Sequence, residues 1–172
     1  MITLIRATAP TLTRPSDTTQ YAAGDLIANS VTDTAVTNRI FTFQRFRGPL
    51  RIRKWLLEKT DNDVTSAAFL LHLFSAAPTY TSAGDNSAFA TVGVTLTGTY
   101  LGTMSIAASY GSSTFAHAQG VPVVDYGDYV TWEPAWDSAD RANLFGVMIA
   151  NGTYTPASAG TFKNTLEGEI EG

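Results

Sequence analysis

Apolar and polar residues alternate over short segments of this chain, and no long window repeats every 3.6 residues. The clearest case is Thr91–Thr97, where Val92, Val94 and Leu96 share one parity and three threonines occupy the other. Successive side chains of a strand point to opposite faces, so this pattern predicts strands with one face toward a core. Fourteen glycines and seven prolines interrupt the chain at short intervals, as turns between strands require.

The closing segment shows the same period with a charged second face. Phe162, Leu166 and Ile170 fall on one parity. The opposite parity carries Lys163, Glu167, Glu169 and Glu171. We therefore expect a terminal strand whose apolar side packs on the core and whose charged side faces outward.

Two segments are apolar on both parities, as strands covered on both faces are. Ala67–Phe74 is interrupted only by His72 and is the candidate central strand. Leu144–Ala150 is similar and runs into Asn151-Gly152, the dipeptide that favours a type I′ hairpin turn. This spacing predicts a hairpin in which the segment from Thr161 onward returns to pair with it.

The remaining candidates bring the total to about eight to ten strands, which is typical of a two-sheet β-sandwich or jelly roll. They are Ile2–Thr8, the residues around Leu26 and Ile27, Arg39–Phe46, Leu50–Glu58, Gly98–Met104 and Asp128–Trp132. The predicted fold class is all-β, a single sandwich domain over residues 1–172 with long loops. An up-and-down barrel is the alternative. Ser105–Val124, rich in Ala, Ser and Gly, is predicted as an extended loop, and helix is confined to a turn near Ser138–Asn143.

Composition excludes several classes of function. The chain has no cysteine, so disulfides, thiolate metal sites and cysteine nucleophiles are excluded. A formal net charge of -4 argues against a general nucleic-acid binder. No apolar stretch approaches the ~20 residues of a membrane span, and the first residues lack the continuous apolar run of a signal peptide. We expect synthesis in the cytoplasm and no membrane partner.

Basic residues cluster in one segment: seven of the eleven Lys and Arg residues lie between positions 39 and 59. Arg45 and Arg47 precede a Gly48-Pro49 turn, and Arg51 and Arg53 follow it. A basic strand pair of this kind is suited to an acidic partner surface. The alternatives are a solvated sheet face paired with acids on neighbouring strands, and a nucleic-acid surface that uses the interleaved aromatic residues.

The stretch Asp125–Asp140 combines acids with aromatic rings. Asp125, Asp128 and Glu133 could supply a carboxylate pair, as glycosidases require. The rings that could stack on a sugar belong to Tyr126, Tyr129, Trp132 and Trp136. A packed and solvated rim of a sheet satisfies the same pattern, so hydrolysis, sugar binding and a structural rim all remain open at this stage.

Metal and nucleophile chemistry have little support in the sequence. The two histidines, His72 in an apolar strand and His117 in an Ala/Ser/Gly segment, have no carboxylate partners at ligand spacing. His72 is interpreted as a core or interface imidazole with one partner. Asp61-Asn62-Asp63 lacks the glycine and distal Glu of a calcium loop. We predict no cofactor and no metal.

Several short segments of the chain resemble a set of small virion structural proteins, about 170 residues long, encoded by tailed bacteriophages and prophages. The segments are Leu12-Thr13-Arg14, Tyr21-Ala22-Ala23-Gly24-Asp25, Leu71-His72-Leu73-Phe74 through Pro78, Gly84-Asp85-Asn86 with Phe89, Tyr100-Leu101-Gly102 and Tyr154-Thr155-Pro156. They lie in turns and strands and contain no catalytic element.

This resemblance implies a non-enzymatic virion component, in particular a head decoration (cement) protein. Such a protein binds the outer surface of the head and stabilises the shell. The implied partners are the major capsid protein and further copies of the chain, with a homotrimer favoured, and the implied location is the capsid surface. A tail or baseplate module that binds host glycan through the aromatic acidic stretch is the alternative.

The first residues suggest a role in such assembly. Met1–Arg14 is a stiff segment that carries Arg6 and Arg14. It could act as an arm that adds a strand to the sheet edge of a neighbouring subunit. The alternative is an ordinary first strand of the chain's own sheet.

Overall fold

The structure is a computed structural model that describes residues 2–32, 40–46, 50–59, 68–78, 84–89, 100–106, 117–123, 130–132 and 142–171. Its ten strands are β1 (Ile2–Thr8), β2 (Leu12–Thr13), β3 (Phe41–Phe46), β4 (Leu50–Lys59), β5 (Phe69–Phe74), β6 (Tyr100–Ile106), β7 (His117–Val123), β8 (Val130–Trp132), β9 (Ala142–Ala150) and β10 (Thr161–Glu171). Within these ranges there is no helix.

The first sheet is built around β10. On one side β10 pairs antiparallel with β1 and, nearer its start, with β2. On the other side it pairs with β4, which in turn pairs with β7 and β8 at different halves of its length. A β-bulge follows Glu167, where a Cβ on Gly168 would lie 2.5 Å from the Arg51 carbonyl oxygen. Glycine is therefore required for the close approach of β4 at this point.

The second sheet has the order β7–β6–β5–β9–β3, and all its pairings are antiparallel. β7 belongs to both sheets: His117–Gly120 pairs with β4, and Val121–Val123 pairs with β6. The chain is thus all-β with two antiparallel sheets, which confirms the predicted fold class.

The main core lies where the two sheets face each other. The first sheet contributes Trp55 and Leu166, and the second contributes Phe69, Leu71 and Met148, all buried. The apolar parity of β10 points inward here and its charged parity points outward, as its sequence pattern predicted. Large-scale burial of such side chains, at ~25 cal/mol per Å² of apolar surface, is the main stabilising contribution.

The second sheet is covered on both faces, which confirms the prediction that β5 is a central strand. Phe69, Leu71 and Leu73 face the main core. On the other face, Phe74 packs in a smaller cluster with residues of the segment that follows Tyr21 and with β9. The smaller cluster consists of Leu26, Ala28, Ile40, Phe74, Val147 and Ile149, with Leu70, Phe89 and Phe145 packed against it.

The predicted hairpin at Asn151-Gly152 is wrong. β9 pairs with β5 and β3, whereas β10 pairs with β1, β2 and β4 in the other sheet. Neither Asn151 nor Gly152 has the positive φ that a type I′ turn needs. The chain instead passes Tyr154, which forms a bridge to Tyr21, before it enters β10.

Other expectations need smaller corrections. The loop predicted over Ser105–Val124 contains the end of β6 and all of β7, whose Ala, Gln, Gly and Pro residues hide a strand. Leu26 makes only an isolated bridge, to Ile149. Thr91–Thr97 lies outside the described residues, and so does the expected helical turn except for its last two positions, which belong to β9.

Candidate functional site

A buried polar cluster is centred on Arg14, directly after β2. The backbone N–H of Arg14 donates to the Gly160 carbonyl at 2.9 Å. Leu12 and Arg14 are buried while Thr13 between them is exposed, so the alternation of an extended chain turns the guanidinium inward. Arg14 is only 2% exposed. A buried charge of this kind requires a charged partner and hydrogen bonds.

Asp85 provides that partner. Arg14 Nη2 lies 2.9 Å from Asp85 Oδ2, and neither side chain has any exposure. The Tyr21 hydroxyl donates to Asp85 Oδ1 at 2.7 Å and accepts a hydrogen bond from Arg14 Nε. The Ala28 N–H also donates to Oδ1, at 2.7 Å. Both carboxylate oxygens and the phenol oxygen are thus bonded within what we call the Arg14–Tyr21–Asp85 cluster.

A tight loop places Asp85 in the interior. Gly84 has a φ of +113°, and a Cβ there would collide with the Ser30 carbonyl oxygen. The Asp85 N–H donates to that same oxygen at 2.7 Å, and the Asn86 N–H donates to the Leu26 carbonyl at 3.0 Å. The loop is therefore attached to the segment 26–30 by main-chain hydrogen bonds, and only glycine fits at its first position.

The remaining donors of Arg14 reach two other parts of the chain. Nη1 donates to the carbonyl oxygens of Asp17 at 3.4 Å and of Ala157 at 3.3 Å. The guanidinium carbon also lies 4.8 Å from the centroid of the Tyr21 ring, a cation–π contact. One side chain thus connects the N-terminal segment, the loop at Asp85 and the segment before β10.

Burial is the largest influence on the pKa values of Tyr21 and Asp85 and determines the direction of both shifts. It raises the pKa of the Tyr21 phenol far above its usual value, Asp85 raises it further, and Arg14 acts in the opposite direction. Burial also raises the pKa of the Asp85 carboxyl, against the hydrogen bonds from Ala28 and Tyr21 and the charge of Arg14. Such bonded groups hold the chain together, because their protons and lone pairs are already engaged with one another.

An aromatic row connects the cluster to the main core. The rings of Tyr21 and Tyr154 are stacked with centroids 5.9 Å apart, and their main chains form an antiparallel bridge. Tyr154 contacts Phe69 edge-on at 5.4 Å, and Phe69 contacts Phe162 in the same way at 5.7 Å. Lys59 Nζ lies 4.7 Å from the Tyr154 ring centroid. The row therefore connects the cluster to both sheets, because Phe69 lies in β5 and Phe162 lies in β10.

His72 occupies a second polar position, on the outer side of β5. Its Nδ1 lies 2.6 Å from Thr103 Oγ1, and its ring is stacked on Phe89 with centroids 5.9 Å apart. Burial lowers the pKa of His72 below its usual value, which favours the neutral imidazole. This agrees with the interpretation of His72 as a packed imidazole with one partner.

Paired charges cover the outward side of β1, β10 and β4, which we call the charged face. Arg6 Nη2 lies 2.8 Å from Glu167 Oε1, and Lys54 Nζ lies 3.5 Å from Glu167 Oε2. Further pairs are Arg53 Nε with Glu169 Oε2 at 2.8 Å and Lys163 Nζ with Glu58 Oε2 at 2.9 Å. These pairs are solvent-accessible, and pairs of this kind each stabilise by ~0 to 1 kcal/mol.

The predicted partner-binding arginines separate into different environments. Arg6 and Arg53 lie on the charged face, and Arg51 is half-buried on the same strand as Arg53. Arg14 is corrected: it is buried in the cluster, so it does not face a partner. The basic strand pair is also wrong, because β3, which contains Arg45, pairs with β9 while β4 belongs to the other sheet.

The predicted aromatic platform lies largely outside the described residues. The predicted site residues outside the described ranges are Arg47, Tyr126, Tyr129 and Trp136, together with the acids Asp125, Asp128 and Glu133. Trp132 is described through its main chain, which places it in β8 opposite Leu50.

The N-terminal strand β1 pairs with β10 of the same chain, as in the first-strand alternative to an exchanged arm. Across the described ranges, no group of three His, Asp or Glu residues is placed to hold a metal, and no helix has the length and apolarity to cross a membrane.

Sequence reasoning missed Asp85 and Tyr21 as partners of Arg14. Gly84-Asp85-Asn86 has the composition of a turn, and Tyr21 has no charged neighbour closer in sequence than Asp17 and Asp25. Asp85 is 71 positions from Arg14, and no local pattern connects positions so far apart. The one signal in the sequence for this cluster was that all three residues occur in the segments that carry the virion-protein resemblance.

Comparison with known proteins gives distant similarities only. No protein-family model matches the chain, and no curated protein matches it. Among solved structures, it is similar to the infectious bursal disease virus VP2 subviral particle, with 13% identity over 99% of this chain and a TM-score of 0.34; the chain spans 33% of that protein's length. The capsid of Helicobacter pylori bacteriophage KHP30 shows 8% identity, 99% and 94% coverage and a TM-score of 0.31. A legume lectin-like domain from Entamoeba histolytica shows 10% identity, 91% and 98% coverage and the same TM-score. Scores this low, shared by coat proteins and a lectin-like domain, do not discriminate between roles.

Proposed function

We propose that this chain is a structural protein of a tailed-bacteriophage or prophage virion, and specifically a head decoration protein. In this role it binds the outer surface of the capsid and stabilises the shell through protein–protein contacts. Its partners are the major capsid protein and further copies of itself, and a homotrimer is the oligomer that the resemblance implies. It is made in the bacterial cytoplasm and then joins the capsid surface.

One observation carries the proposal: the segments that carry the resemblance lie far apart in the sequence but contact one another in the fold. Arg14, Tyr21 and Asp85 form the buried cluster, and Tyr21 is stacked on Tyr154. Phe89, from the same segment as Asp85, is stacked on His72. The resemblance therefore coincides with the contacts that hold the two-sheet scaffold together. This favours a shared scaffold over a chance likeness of turns.

The chemistry of the buried groups supports a non-enzymatic role. The buried charged residues Arg14 and Asp85 bond to each other, to Tyr21 and to main-chain groups. A catalytic acid, base or nucleophile needs a reacting group within hydrogen-bond reach of its proton or lone pair. Here those protons and lone pairs bind other parts of the scaffold, so their contribution is to rigidity. A rigid scaffold loses little conformational entropy when it binds.

The surface also suits a capsid contact. The charged face presents positive and negative side chains already paired with each other, including Arg6 with Glu167 and Arg53 with Glu169. Removing exposed pairs from water costs less than removing isolated charges, and complementary charges on a partner fix register and specificity. Contacts repeated over many sites on a shell combine through multivalency, so each one can be modest.

A binding experiment tests this proposal. Purified protein is mixed with undecorated heads of the phage or prophage that encodes it, and bound protein and the temperature of head rupture are measured. We expect saturable binding and a higher rupture temperature. Arg53→Glu, on the charged face, should weaken binding, whereas Val31→Glu, which replaces another exposed side chain, should not.

Two results would overturn the proposal. One is the absence of saturable binding and protection by a protein with its normal unfolding transition. The other is glycan-array binding that is lost in Trp132→Ala and Trp136→Ala, together with no affinity for heads, which would favour the tail or baseplate alternative.

A further inference from the structure

The strand β1 forms an open edge of the first sheet. Its pairing partner among the described residues is β10, on one side only. Ile2, Thr3 and Leu4 are all exposed, so this end of the strand is uncovered on both faces. Ile2 is 65% and Leu4 79% exposed, the two largest exposures among bulky apolar residues in the described part of the chain. Proteins normally protect an edge of this kind, because its free main-chain groups can pair with another strand.

The hydrogen-bonding pattern of β1 shows which of its residues have main-chain N–H and C=O groups that point away from β10. The Ala9 N–H donates to the Asn164 carbonyl at 3.0 Å, which continues the β1–β10 register by one residue beyond Thr8–Thr165. In an antiparallel pair, residues bonded to the partner alternate with residues that are not. Odd-numbered residues of β1 therefore bond to β10. The N–H and C=O groups of Ile2, Leu4, Arg6 and Thr8 point to the open edge.

A second copy of the same strand is complementary to this edge. Two antiparallel copies related by a two-fold axis pair even-numbered residues with even-numbered residues, so each free N–H meets a free C=O. The exposed side chains of Ile2 and Leu4 lie on the same even parity and come together on the outward face of the joined sheet.

Side-chain charge selects the register. An axis at Arg6 would place two arginines directly opposite each other, which is unfavourable. An axis between Leu4 and Arg6 would place Leu4 against Arg6 in both pairs next to the axis, so no apolar pair would form at the centre. An axis at Leu4 pairs Leu4 with its own copy and Ile2 with Arg6, so that apolar side chains meet at the centre. Arg6 then keeps its contact with Glu167 at the periphery.

We propose that β1 is a two-fold self-association edge, in which Leu4 of one copy lies opposite Leu4 of a second copy and the first sheets of both copies become continuous. The paired segment Ile2–Arg6 is short, and stable interfaces bury ~1,200–2,000 Å² in total. The contact is therefore weak in solution and depends on concentration. The proposal does not depend on the capsid role.

Disulfide trapping tests the pairing, and the absence of native cysteine makes single-cysteine variants unambiguous. In the proposed register, the two Cα atoms of a Leu4→Cys pair are ~5.5 Å apart, which is within disulfide range. The matched control is Thr8→Cys, on the same face of the same strand, where the two Cα atoms would be ~26 Å apart. We expect the Leu4→Cys protein to form covalent dimer on the order of 10-fold faster than the control.

A second measurement uses charge instead of a cross-link. Leu4→Lys should shift the sedimentation of concentrated protein toward the smaller species, whereas Val31→Lys, at another exposed apolar residue, should leave it unchanged. Unchanged melting temperatures would show that all variants fold. Equal dimer formation by Leu4→Cys and Thr8→Cys would overturn the proposal, as expected if a segment of a different protein, or a different contact between copies, covers this edge.

Discussion

Arg14 and Asp85 form an ion pair in which both side chains are completely buried, with 2.9 Å between Nη2 and Oδ2. The pair connects the segment after β2 to a loop that follows β5. Tyr21 and the Ala28 main chain complete its hydrogen bonding. Such a pair makes the scaffold depend on every member, because removing one partner leaves the other charge buried without compensation.

Replacing Asp85 should therefore be severely destabilising. Asp85→Ala leaves the buried Arg14 guanidinium with only the longer contact to Asp17 as an ion pair, and we expect a loss of about 3–5 kcal/mol in the free energy of unfolding. Chemical denaturation followed by tryptophan fluorescence measures it. The control is Asp17→Ala: Asp17 is half-exposed and lies 3.4 Å from the same guanidinium, so its loss should be under about 1 kcal/mol. Equal losses would contradict the assignment.

Tyr21→Phe separates the hydroxyl from the ring. The stacking on Tyr154 stays, but Asp85 loses a donor and Arg14 Nε loses an acceptor. We expect destabilisation by about 1–3 kcal/mol, because buried partners are left unsatisfied. Tyr154→Phe serves as the comparison, since its hydroxyl has only a 3.4 Å contact with Lys59 Nζ. A smaller effect in Tyr21→Phe than in Tyr154→Phe would refute the role of the hydroxyl.

Two glycines with positive φ offer a test of the loop that carries Asp85. Gly84→Ala introduces a Cβ against the Ser30 carbonyl oxygen and the Val31 backbone, in addition to the strain of φ +113°. Gly24→Ala has a similar φ of +93° with no atom within 4 Å of the added Cβ. We expect Gly24→Ala to lower the unfolding free energy by about 1–2 kcal/mol and Gly84→Ala by clearly more. Similar unfolding midpoints for the two variants would count against the close approach of the chain at Ser30.

His72 should make the stability depend on pH. Burial lowers the pKa of His72 in the folded chain, so the unfolded chain binds a proton more readily. Its contribution is complete above the unfolded pKa near 6.5, is lost as the pH falls toward the folded pKa, and is constant below it. Among the described residues, the groups that face His72 are Thr103, Phe89 and Tyr100. Unfolding measured between pH 7.5 and pH 5 should show a steeper decline for the natural protein than for His72→Gln, and parallel curves would exclude this contribution.

The charged face should contribute little to folding. Arg53→Gln breaks the contact with Glu169, and Arg6→Gln breaks one contact of Glu167. We expect each change to alter the unfolding free energy by less than about 1 kcal/mol at moderate salt. Thermal unfolding at two salt concentrations measures this. A loss of several kcal/mol would show that the face has a structural role instead of being available to a partner.

The sequence predicted those features that depend on short-range periodicity. The alternation of Phe162, Leu166 and Ile170 with charged residues identified β10 and its outward side, and apolar residues on both parities identified β5. These patterns suffice because a strand's two faces are determined by its own residues. β7 was missed because Ala, Gln, Gly and Pro carry no such pattern, although β7 joins the two sheets.

Pairing between distant segments could not be predicted in this way. Asn151-Gly152 has the composition of a hairpin turn, but the following segment pairs through Tyr154 with Tyr21, and β10 enters the other sheet. Arg14 was expected to face a partner, as part of an N-terminal arm. Its burial depends on Asp85, which is paired with it in the fold although β3, β4 and β5 lie between the two residues in the sequence. Only the three-dimensional arrangement shows that pairing.

The most direct test of the proposed role is to locate the protein in an electron-microscopy map of the intact particle. The proposal predicts density for the two-sheet fold on the outer surface of the head, at positions that repeat with the capsid lattice. Density confined to the tail or baseplate, or particles purified without the protein, would contradict it.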